Sequence, residues 1–292
     1  MTTAAPEIAG AESRTVAVAG VRFHLWSARP ARKRKTTPVL LLHGVPETAA
    51  TWGALMADLA KDRVVIAPDL KGLGESEARE PYDIPTLVAE LAALVLHEVD
   101  GPVDVVGHDW GGSLAIALAG ARPDLVRRLV VLSAPYREID YKRAWYMGVA
   151  ALPLLPDVVL RFAAGDLVRR AFDLAWKAPG KPALLDHYVA AYTPPQRWGA
   201  MLGYYRAAVR PRVARLARGE KGGSGQPRAK VERALVVWGS DDPPTPLHLG
   251  EGVVRDLGPD ATMLTVPGVG HFPHEEAPDV VLPAIAEFLR AP

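Results

Sequence analysis

The chain contains no cysteine among its 292 residues. Disulfide scaffolds, thiolate metal sites and cysteine nucleophiles are therefore excluded. It also lacks an excess of charge, because 34 Lys and Arg residues stand against 33 Asp and Glu residues and leave a net charge of +1. This balance gives no electrostatic reason to expect nucleic acid or an anionic membrane as a partner, and we expect neither.

Long hydrophobic runs are also missing. The longest apolar stretch, Tyr146 to Leu155, is interrupted by Pro153 and is far shorter than the ~20 residues that a membrane-spanning helix needs. The N-terminus shows neither the basic segment nor the apolar segment of an export signal. Apolar residues make up 49% of the chain and charged residues 23%, the ordinary globular mix. We therefore expect a cytoplasmic globular protein.

Short apolar runs alternate with amphipathic segments along the first 135 residues. The runs Val39 to Leu42 and Val103 to Val106 are continuously apolar, as expected for strands that are buried on both faces. Between them, Pro85 to Val99 has the apolar spacing of a helix. Strand and helix patterns alternate four times before Pro135, which predicts a mainly parallel sheet flanked by helices.

The alternation stops near Pro135 and resumes at Ala234. The intervening segment has mostly helical patterns and holds seven of the eight tyrosines. We therefore expect an α/β core over residues 1–135 and 228–292, with a helical cap inserted over residues 136–227. The hydrophilic stretch 219–230 has the composition of a flexible linker that returns the chain to the core.

The sequence GHDWGG, residues 107–112, follows one predicted strand directly and precedes a predicted helix. Its glycines permit a sharp strand-to-helix turn, the nucleophile elbow, which raises the central side chain above the sheet. That side chain is Asp109. The alternative for this motif taken alone is a glycine-rich turn in which the Asp caps the helix.

Two further motifs follow later strands. In GVGHFP, residues 268–273, His271 lies where a general base belongs, just after the last predicted strand. In WGSDDPPTP, residues 238–246, Asp242 or its neighbour Asp241 would orient the imidazole and stabilise its protonated form. Motif spacing favours Asp242, which gives the chain order nucleophile, acid, base that an elbow-type hydrolase requires.

A fourth motif, HGVP, occupies residues 43–46 immediately after the first buried run. A turn at the end of that strand can direct the backbone N–H of Val45 into a cavity beside the N–H of Trp110, and two such donors form an oxyanion hole. An ordinary strand-end turn fits this motif equally well on its own. The four motifs in the required order carry the prediction together.

With these motifs, the chain resembles the α/β-hydrolases of the epoxide hydrolase and haloalkane dehalogenase group. The resemblance extends from Val39 to Leu289 through HGVPE, DLKGLGES, GHDWGG, WGSDDPPTP and GVGHFPHEE. It implies an α/β-hydrolase fold and an oxyanion hole formed by Val45 and Trp110. We expect no cofactor and no metal, because the histidine pairs show no zinc-site spacing with a third ligand.

An aspartate at the elbow favours attack on a saturated carbon, which leaves an alkyl ester on the enzyme. His271, assisted by Asp242, would then activate water to hydrolyse that ester. An epoxide oxygen leaves as a basic alkoxide, so a general acid must protonate it. In epoxide hydrolases that resemble this chain, two lid tyrosines have this role. The resemblance assigns this role to two residues. Tyr205 is the second tyrosine of an aromatic pair and directly precedes an Arg. Tyr146 lies seven residues before a Pro, with Tyr141 as a possible substitute for it; the alternative for each tyrosine is packing within the lid.

The sequence leaves two alternative functions: a haloalkane or haloacid dehalogenase that uses the same Asp nucleophile, and a ligand-binding protein without turnover. Trp110 matches the halide donor of haloalkane dehalogenases, but Val45 lacks the side-chain donor of their usual Asn, and the haloacetate branch has Arg where Trp110 stands. A ligand-binding protein without turnover is disfavoured by the retention of Asp109, Asp242 and His271, since a buried charged cluster costs stability. We expect hydrolysis of a small, mainly apolar epoxide to a vicinal diol, and the oligomeric state is left open.

Overall fold

The computed structural model describes residues 6–32, 34–140, 142–219 and 229–292. Within them lie eight strands: β1 (Glu12–Val18), β2 (Val21–Ala28), β3 (Val39–Leu42), β4 (Val65–Pro68), β5 (Val103–His108), β6 (Val126–Leu132), β7 (Arg233–Gly239) and β8 (Ala261–Val266). They form one sheet in the order β1-β2-β4-β3-β5-β6-β7-β8.

Ten α-helices connect or cover these strands in the described part of the chain. They are α1 (Gly53–Leu59), α2 (Ile84–Glu98), α3 (Asp109–Ala121), α4 (Trp145–Ala150), α5 (Leu155–Ala175), α6 (Leu185–Tyr192), α7 (Pro195–Ala217), α8 (Leu247–Leu257), α9 (Pro273–Glu276) and α10 (Pro278–Arg290). A short 3-10 helix, Ala49–Trp52, precedes α1. None of the described helices is both long enough and apolar enough to cross a membrane.

The sheet is mainly parallel. All strands from β3 to β8 run in one direction, whereas β1 and β2 form an antiparallel hairpin that pairs with β4 at one edge. The hairpin turns at Ala19 and Gly20, whose φ angles of 52° and 78° are the left-handed values that a tight two-residue hairpin turn needs. The predicted mainly parallel sheet is confirmed.

Apolar side chains cover both faces of the sheet, because successive residues of a strand point to opposite sides. Within β3, Leu40 and Leu42 belong to the core on one face. Val39 and Leu41 belong to the core on the other face. Helices α2, α3 and α8 cover the first face, and α1 and α10 cover the second. This three-layer arrangement explains the continuous apolar run in β3.

Helices α4 to α7 lie between β6 and β7 in the chain, and α5 packs against α6 and α7. Buried tyrosines attach them to the rest of the protein. The Tyr192 hydroxyl donates to the backbone carbonyl of Glu47 at 3.0 Å, and the Tyr204 hydroxyl donates to that of Lys71 at 2.9 Å. Since these acceptors follow the carboxyl ends of β3 and β4, the helices lie over that edge of the sheet.

That these four helices form an inserted cap stays a prediction. Its expected boundaries, 136 and 227, stay a prediction. Most of the expected return linker, 219–230, lies outside the described residues.

Candidate active site

Asp109 occupies the sharp turn between β5 and α3. Its φ angle of 48° is left-handed, a conformation that Asp tolerates better than most residues with a side chain. The turn is so tight that a Cβ atom at Gly107 would collide with the backbone of Gly111 and Gly112. Glycine at position 107 therefore permits the turn, which presents the Asp109 carboxylate above the carboxyl edge of the sheet.

A backbone N–H group from the loop after β3 contacts the Asp109 carboxylate. The Val45 N–H donates to Asp109 Oδ1 at 3.0 Å. Trp110 belongs to the first turn of α3, where N–H groups have no partner within the helix. A Cβ atom at Gly44 would approach the Asp109 Cβ to 2.6 Å, so glycine there lets the two loops come together. Val45 thus supplies one N–H group to the carboxylate, and the oxyanion hole formed by Val45 and Trp110 stays a prediction.

His271 joins two carboxylates. Its Nε2 atom lies 3.5 Å from Asp109 Oδ2, and its Nδ1 atom lies 2.9 Å from Asp242 Oδ2. Asp241 instead accepts a hydrogen bond from the Ser240 hydroxyl at an exposed position. Of the two aspartates that the sequence leaves open, the one in contact with His271 is therefore Asp242.

Thr245 fixes the Asp242 carboxylate. Its backbone N–H donates to Oδ1 at 2.9 Å, and its hydroxyl donates to Oδ2 at 2.6 Å. Both bonds span three residues, the spacing at which an Asp side chain can bind the backbone of the next turn. Thr245 is not among the residues predicted from the sequence, although the DDPPT segment contains this spacing.

The electrostatics favour an ion pair at the centre of the site. Burial alone would lower the pKa of His271, but the carboxylates of Asp242 and Asp109 outweigh it and raise that pKa well above its usual value. Burial alone would raise the pKa of Asp109, but His271 outweighs it and holds that pKa below its usual value. Both shifts favour the ionised form of Asp109 and the protonated form of His271.

A cavity opens above Asp109 between the sheet and the helices α4 and α7. Its wall includes Trp110 from α3, Tyr146 from α4 and Tyr205 from α7. The ring centres of Tyr146 and Tyr205 are 6.1 Å apart, and those of Trp110 and Tyr205 are 5.5 Å apart. The structure therefore brings both predicted tyrosines to the cavity that contains Asp109. Tyr141, the possible substitute for Tyr146, lies outside the described residues.

Both tyrosine hydroxyls keep their protons at neutral pH. Burial raises the pKa of Tyr146, and the negative charges of Asp109 and Asp242 raise it further. Burial also raises the pKa of Tyr205 well above its usual value, with further contributions from Tyr146 and Asp109. A phenol that stays protonated can donate a hydrogen bond to an oxygen atom that enters the cavity.

A second charged cluster lies directly beneath the site and is wholly buried. The Glu47 carboxylate receives the backbone N–H of Gly44 at 2.9 Å and contacts His108 Nδ1 at 2.6 Å and His274 Nε2 at 3.0 Å. Burial alone would raise the pKa of Glu47, but His108 and His274 hold it well below its usual value. Glu47 is therefore an ionised carboxylate that holds the Gly44–Val45 turn in place.

His108 connects this cluster to His271. Its Nδ1 atom faces Glu47, and its Nε2 atom lies 2.8 Å from the backbone carbonyl oxygen of His271. A neutral imidazole has a single N–H group, so two acceptors require the protonated form. Burial alone would lower the pKa of His108, but Glu47 outweighs it and raises that pKa. The sequence motifs HGVPE, GHDWGG and GVGHFPHEE contain these residues, but the motifs alone predict no role for them.

Glu47, His108 and His274 also form a group whose potential metal-ligating atoms lie within 4.8 Å of one another. The spacing of the histidines along the chain does not reveal this group. Its short contacts are those of hydrogen bonds, which need a proton between the two atoms, and His108 uses both ring nitrogens in such contacts. We therefore interpret the group as a hydrogen-bonded network rather than as a metal centre.

With this geometry in view, comparison with known proteins identifies the family. A model of the Alpha/beta hydrolase family matches residues 39–284. This range covers most of the chain and includes all the site residues described above. The chain belongs to the α/β-hydrolase family and is a hydrolytic enzyme.

Individual relatives include hydrolases of two kinds. A soluble epoxide hydrolase from Corynebacterium is 44% identical over 96 residues, which cover 32% of this chain and 34% of the relative. A 2-hydroxymuconate semialdehyde hydrolase from Pseudomonas is 31% identical over 260 residues, which cover 84% of this chain and 82% of the relative. Family membership alone therefore leaves the hydrolysed bond undetermined.

A solved structure extends the likeness to the whole fold. Epoxide hydrolase A from Mycobacterium thermoresistibile superimposes with a TM-score of 0.77 at 26% identity, covering 96% of this chain and 98% of that protein. The predicted α/β-hydrolase fold and the predicted resemblance to epoxide hydrolases are confirmed.

Proposed function

We propose that the protein is an epoxide hydrolase that opens its substrate through a covalent ester on Asp109. The observation that carries this proposal is the arrangement of Tyr146 and Tyr205, which line the cavity of Asp109 with protonated hydroxyls. A halide leaves as a stable anion and needs only hydrogen-bond donors, whereas an epoxide oxygen needs a proton. Two phenols beside one carboxylate fit the second requirement.

The first step makes one bond and breaks one. The Asp109 carboxylate attacks a ring carbon of the epoxide, and the bond from that carbon to the ring oxygen breaks. The leaving oxygen takes a proton from Tyr146 or Tyr205, which becomes a phenolate. The products of this step are an alkyl ester on Asp109 and a hydroxyl group on the neighbouring carbon.

The second step hydrolyses the ester. Formation of the ester removes the charge of Asp109 and so lowers the pKa of His271, which releases its proton to solvent. The neutral imidazole, oriented by Asp242, takes a proton from water, and the water oxygen attacks the carbonyl carbon of Asp109. The N–H groups of Val45 and Trp110 stabilise the resulting oxyanion. Collapse of this intermediate breaks the ester bond, restores the carboxylate and releases the diol. The proton on His271 then returns to the phenolate, so the balance is one water consumed for each epoxide.

The direct test is the intact mass of the variant His271→Gln after exposure to separate panels of epoxides and haloalkanes. Without the base, the Asp109 ester forms but its hydrolysis stops, so the ester accumulates. We expect an adduct equal in mass to a complete epoxide, located on Asp109 by peptide mapping.

The double variant Asp109→Asn/His271→Gln is the matched control and should carry no adduct. An adduct equal to a haloalkane minus hydrogen halide would instead identify a dehalogenase, in which the Trp110 side chain would be a halide donor. A variant without any adduct, in a preparation whose wild type hydrolyses the same epoxides, would disprove the covalent mechanism.

Tyr205→Phe should reduce epoxide turnover by about 10²- to 10³-fold, the usual cost of losing one donor to a developing oxyanion. It should leave the affinity for a neutral diol or amide analogue within about threefold, because the ring and its packing against Trp110 are retained. The measurement is kcat for the epoxide alongside the inhibition constant of the analogue. Equal losses in turnover and in analogue affinity would mean that Tyr205 lines the cavity and does not act as a proton donor.

A further inference from the structure

The cavity above Asp109 continues along one side of α7. Tyr205, Ala208 and Arg212 follow one another at spacings of three and four residues, which places them on one face of the helix. All three line the cavity. Arg212 is seven residues beyond Tyr205, or about 10 Å along the helix axis. The reacting end of the cavity is therefore at Tyr205, and a guanidinium lies toward its other end.

Arg212 is the only Lys or Arg among the described residues that line this cavity. Its side chain is half-buried and forms no hydrogen bond or ion pair with any described residue. Other arginines of α7 do have partners: Arg206 pairs with Asp157, and Arg210 donates to the backbone carbonyl of Ala151 at 3.1 Å. Arg212 thus differs from its neighbours in presenting an uncompensated charge to the cavity.

The carboxylates in the cavity wall are already engaged. Asp140 Oδ1 accepts the backbone N–H groups of Lys142 at 3.0 Å and Arg143 at 3.3 Å. Asp109 is held by Val45 and His271. Neither forms an ion pair with Arg212, so its charge is available to a ligand.

We propose that Arg212 binds a carboxylate of the substrate, so that the preferred substrates are epoxides of carboxylic acids with a chain of several carbons between the two groups. This inference rests on the proposed epoxide hydrolysis. Arg212 lines the cavity, so its side chain can meet a ligand that extends there from Asp109. A planar guanidinium binds a carboxylate through two parallel hydrogen bonds.

The wall between the two ends suits a hydrocarbon chain. Ala208 has a small side chain at the midpoint of the α7 stripe and leaves space there. The remaining lining is largely apolar, with Ile84, Ile139, Met147 and Leu249 on the other elements. An epoxide attached to an apolar chain that ends in a carboxylate therefore matches the cavity from Asp109 to Arg212.

The test uses pairs of substrates that differ only in charge: an epoxy acid and the primary amide of the same acid, over a series of chain lengths. The wild type should hydrolyse the acid with a kcat/KM about 10- to 100-fold above that of the amide, which is the usual value of one charged hydrogen-bonded pair. Arg212→Gln should abolish this preference by lowering the rate for the acid alone. Arg212→Lys should retain part of it, because the charge remains but the paired geometry is lost.

Arg161→Gln is the matched control, since Arg161 is exposed on α5 and its replacement changes the net charge by the same amount. It should leave the preference unchanged. If both substrates react equally well with the wild type, or if Arg161→Gln removes the preference as Arg212→Gln does, the proposed role of Arg212 is wrong.

Binding separates this inference from the proposed reaction. Calorimetric titration with octanoate and with octanamide needs no turnover. Tighter binding of octanoate by the wild type, lost in Arg212→Gln, supports the carboxylate site even if no epoxide is hydrolysed. If the protein hydrolyses neutral epoxides but binds octanoate no more tightly than octanamide, the proposed reaction is supported and the proposed role of Arg212 is wrong.

Discussion

Asp109→Asn should lower epoxide turnover by at least about 10⁴-fold, in line with the loss of the nucleophile in other covalent hydrolases. The amide nitrogen and oxygen are far weaker nucleophiles than a carboxylate, so the alkyl ester should not form. The replacement has the same shape, and Asn accepts the left-handed φ of 48° that this position requires. We therefore expect loss of activity without loss of the fold, measured as kcat together with the thermal unfolding midpoint.

The same variant should change the titration of His271. Asp109 and Asp242 together raise the pKa of His271, so removal of the Asp109 charge should lower it. The ester intermediate also lacks that charge, which means that His271 becomes a base at lower pH when the ester is present than in the free enzyme. The imidazole resonances of His271, followed by NMR against pH, measure the shift.

Asp241→Asn is the control for both measurements, because Asp241 is exposed and contacts Ser240 rather than His271. It should leave turnover and the His271 titration unchanged. Full turnover in Asp109→Asn, with the amide shown by mass to be intact, would mean that another group makes the first bond.

The variant Glu47→Gln should reduce the free energy of unfolding by about 3–5 kcal/mol, the usual cost of removing one partner from a buried ion pair. Glu47 accepts hydrogen bonds from Gly44 N–H and faces His108 and His274. A glutamine amide would turn an NH₂ group toward one of these donors and would leave the His108 charge without its carboxylate. Urea unfolding of the two proteins measures the difference.

The size of this difference should depend on pH. The pKa of Glu47 is lowered on folding, so its contribution is present above the usual glutamate pKa and is lost as the pH falls through the lowered value. The pKa of His108 is raised on folding, so its contribution is present below the usual histidine pKa, near 6.5, and is lost as the pH rises through the raised value. The two proteins should therefore differ most between about pH 5 and 6.5.

Glu251→Gln, an exposed change on α8, controls for the general effect of one charge. It should alter the unfolding free energy by less than about 0.5 kcal/mol. A Glu47 variant that is as stable as this control at pH 6 would show that the buried carboxylate contributes nothing net.

The sequence predicts those parts of the fold and site that depend on local pattern. The run Val39 to Leu42 is a strand with these same bounds in the structure, because a short, continuously apolar run is typical of a strand covered on both faces. Asp109 could be placed at its turn because glycines before and after it are required for that turn. His271 could be placed because it follows the last strand of the sheet.

The parts that local pattern does not predict depend on contacts between distant segments. Nothing near Glu47 in the chain indicates that His274 lies 3.0 Å from it, since the two meet only when β3 and the loop after β8 reach the same edge. The position of Arg212 at the cavity also depends on contacts between distant segments. Its spacing from Tyr205 is visible in the sequence, but the choice of the face of α7 that borders the cavity depends on how α7 packs.

The residues around Asp109 come from both ends of the chain, since Val45 follows β3 and His271 follows β8, 226 positions later. During synthesis, the apolar faces of the early strands are complete long before the last strand and α10 can cover them. The oxyanion-hole turn and the base meet only when that last strand has joined the sheet. In a refolding experiment, recovery of ester hydrolysis should therefore come last, after most of the helical signal has returned, and would time the pairing of β8 with the rest of the sheet.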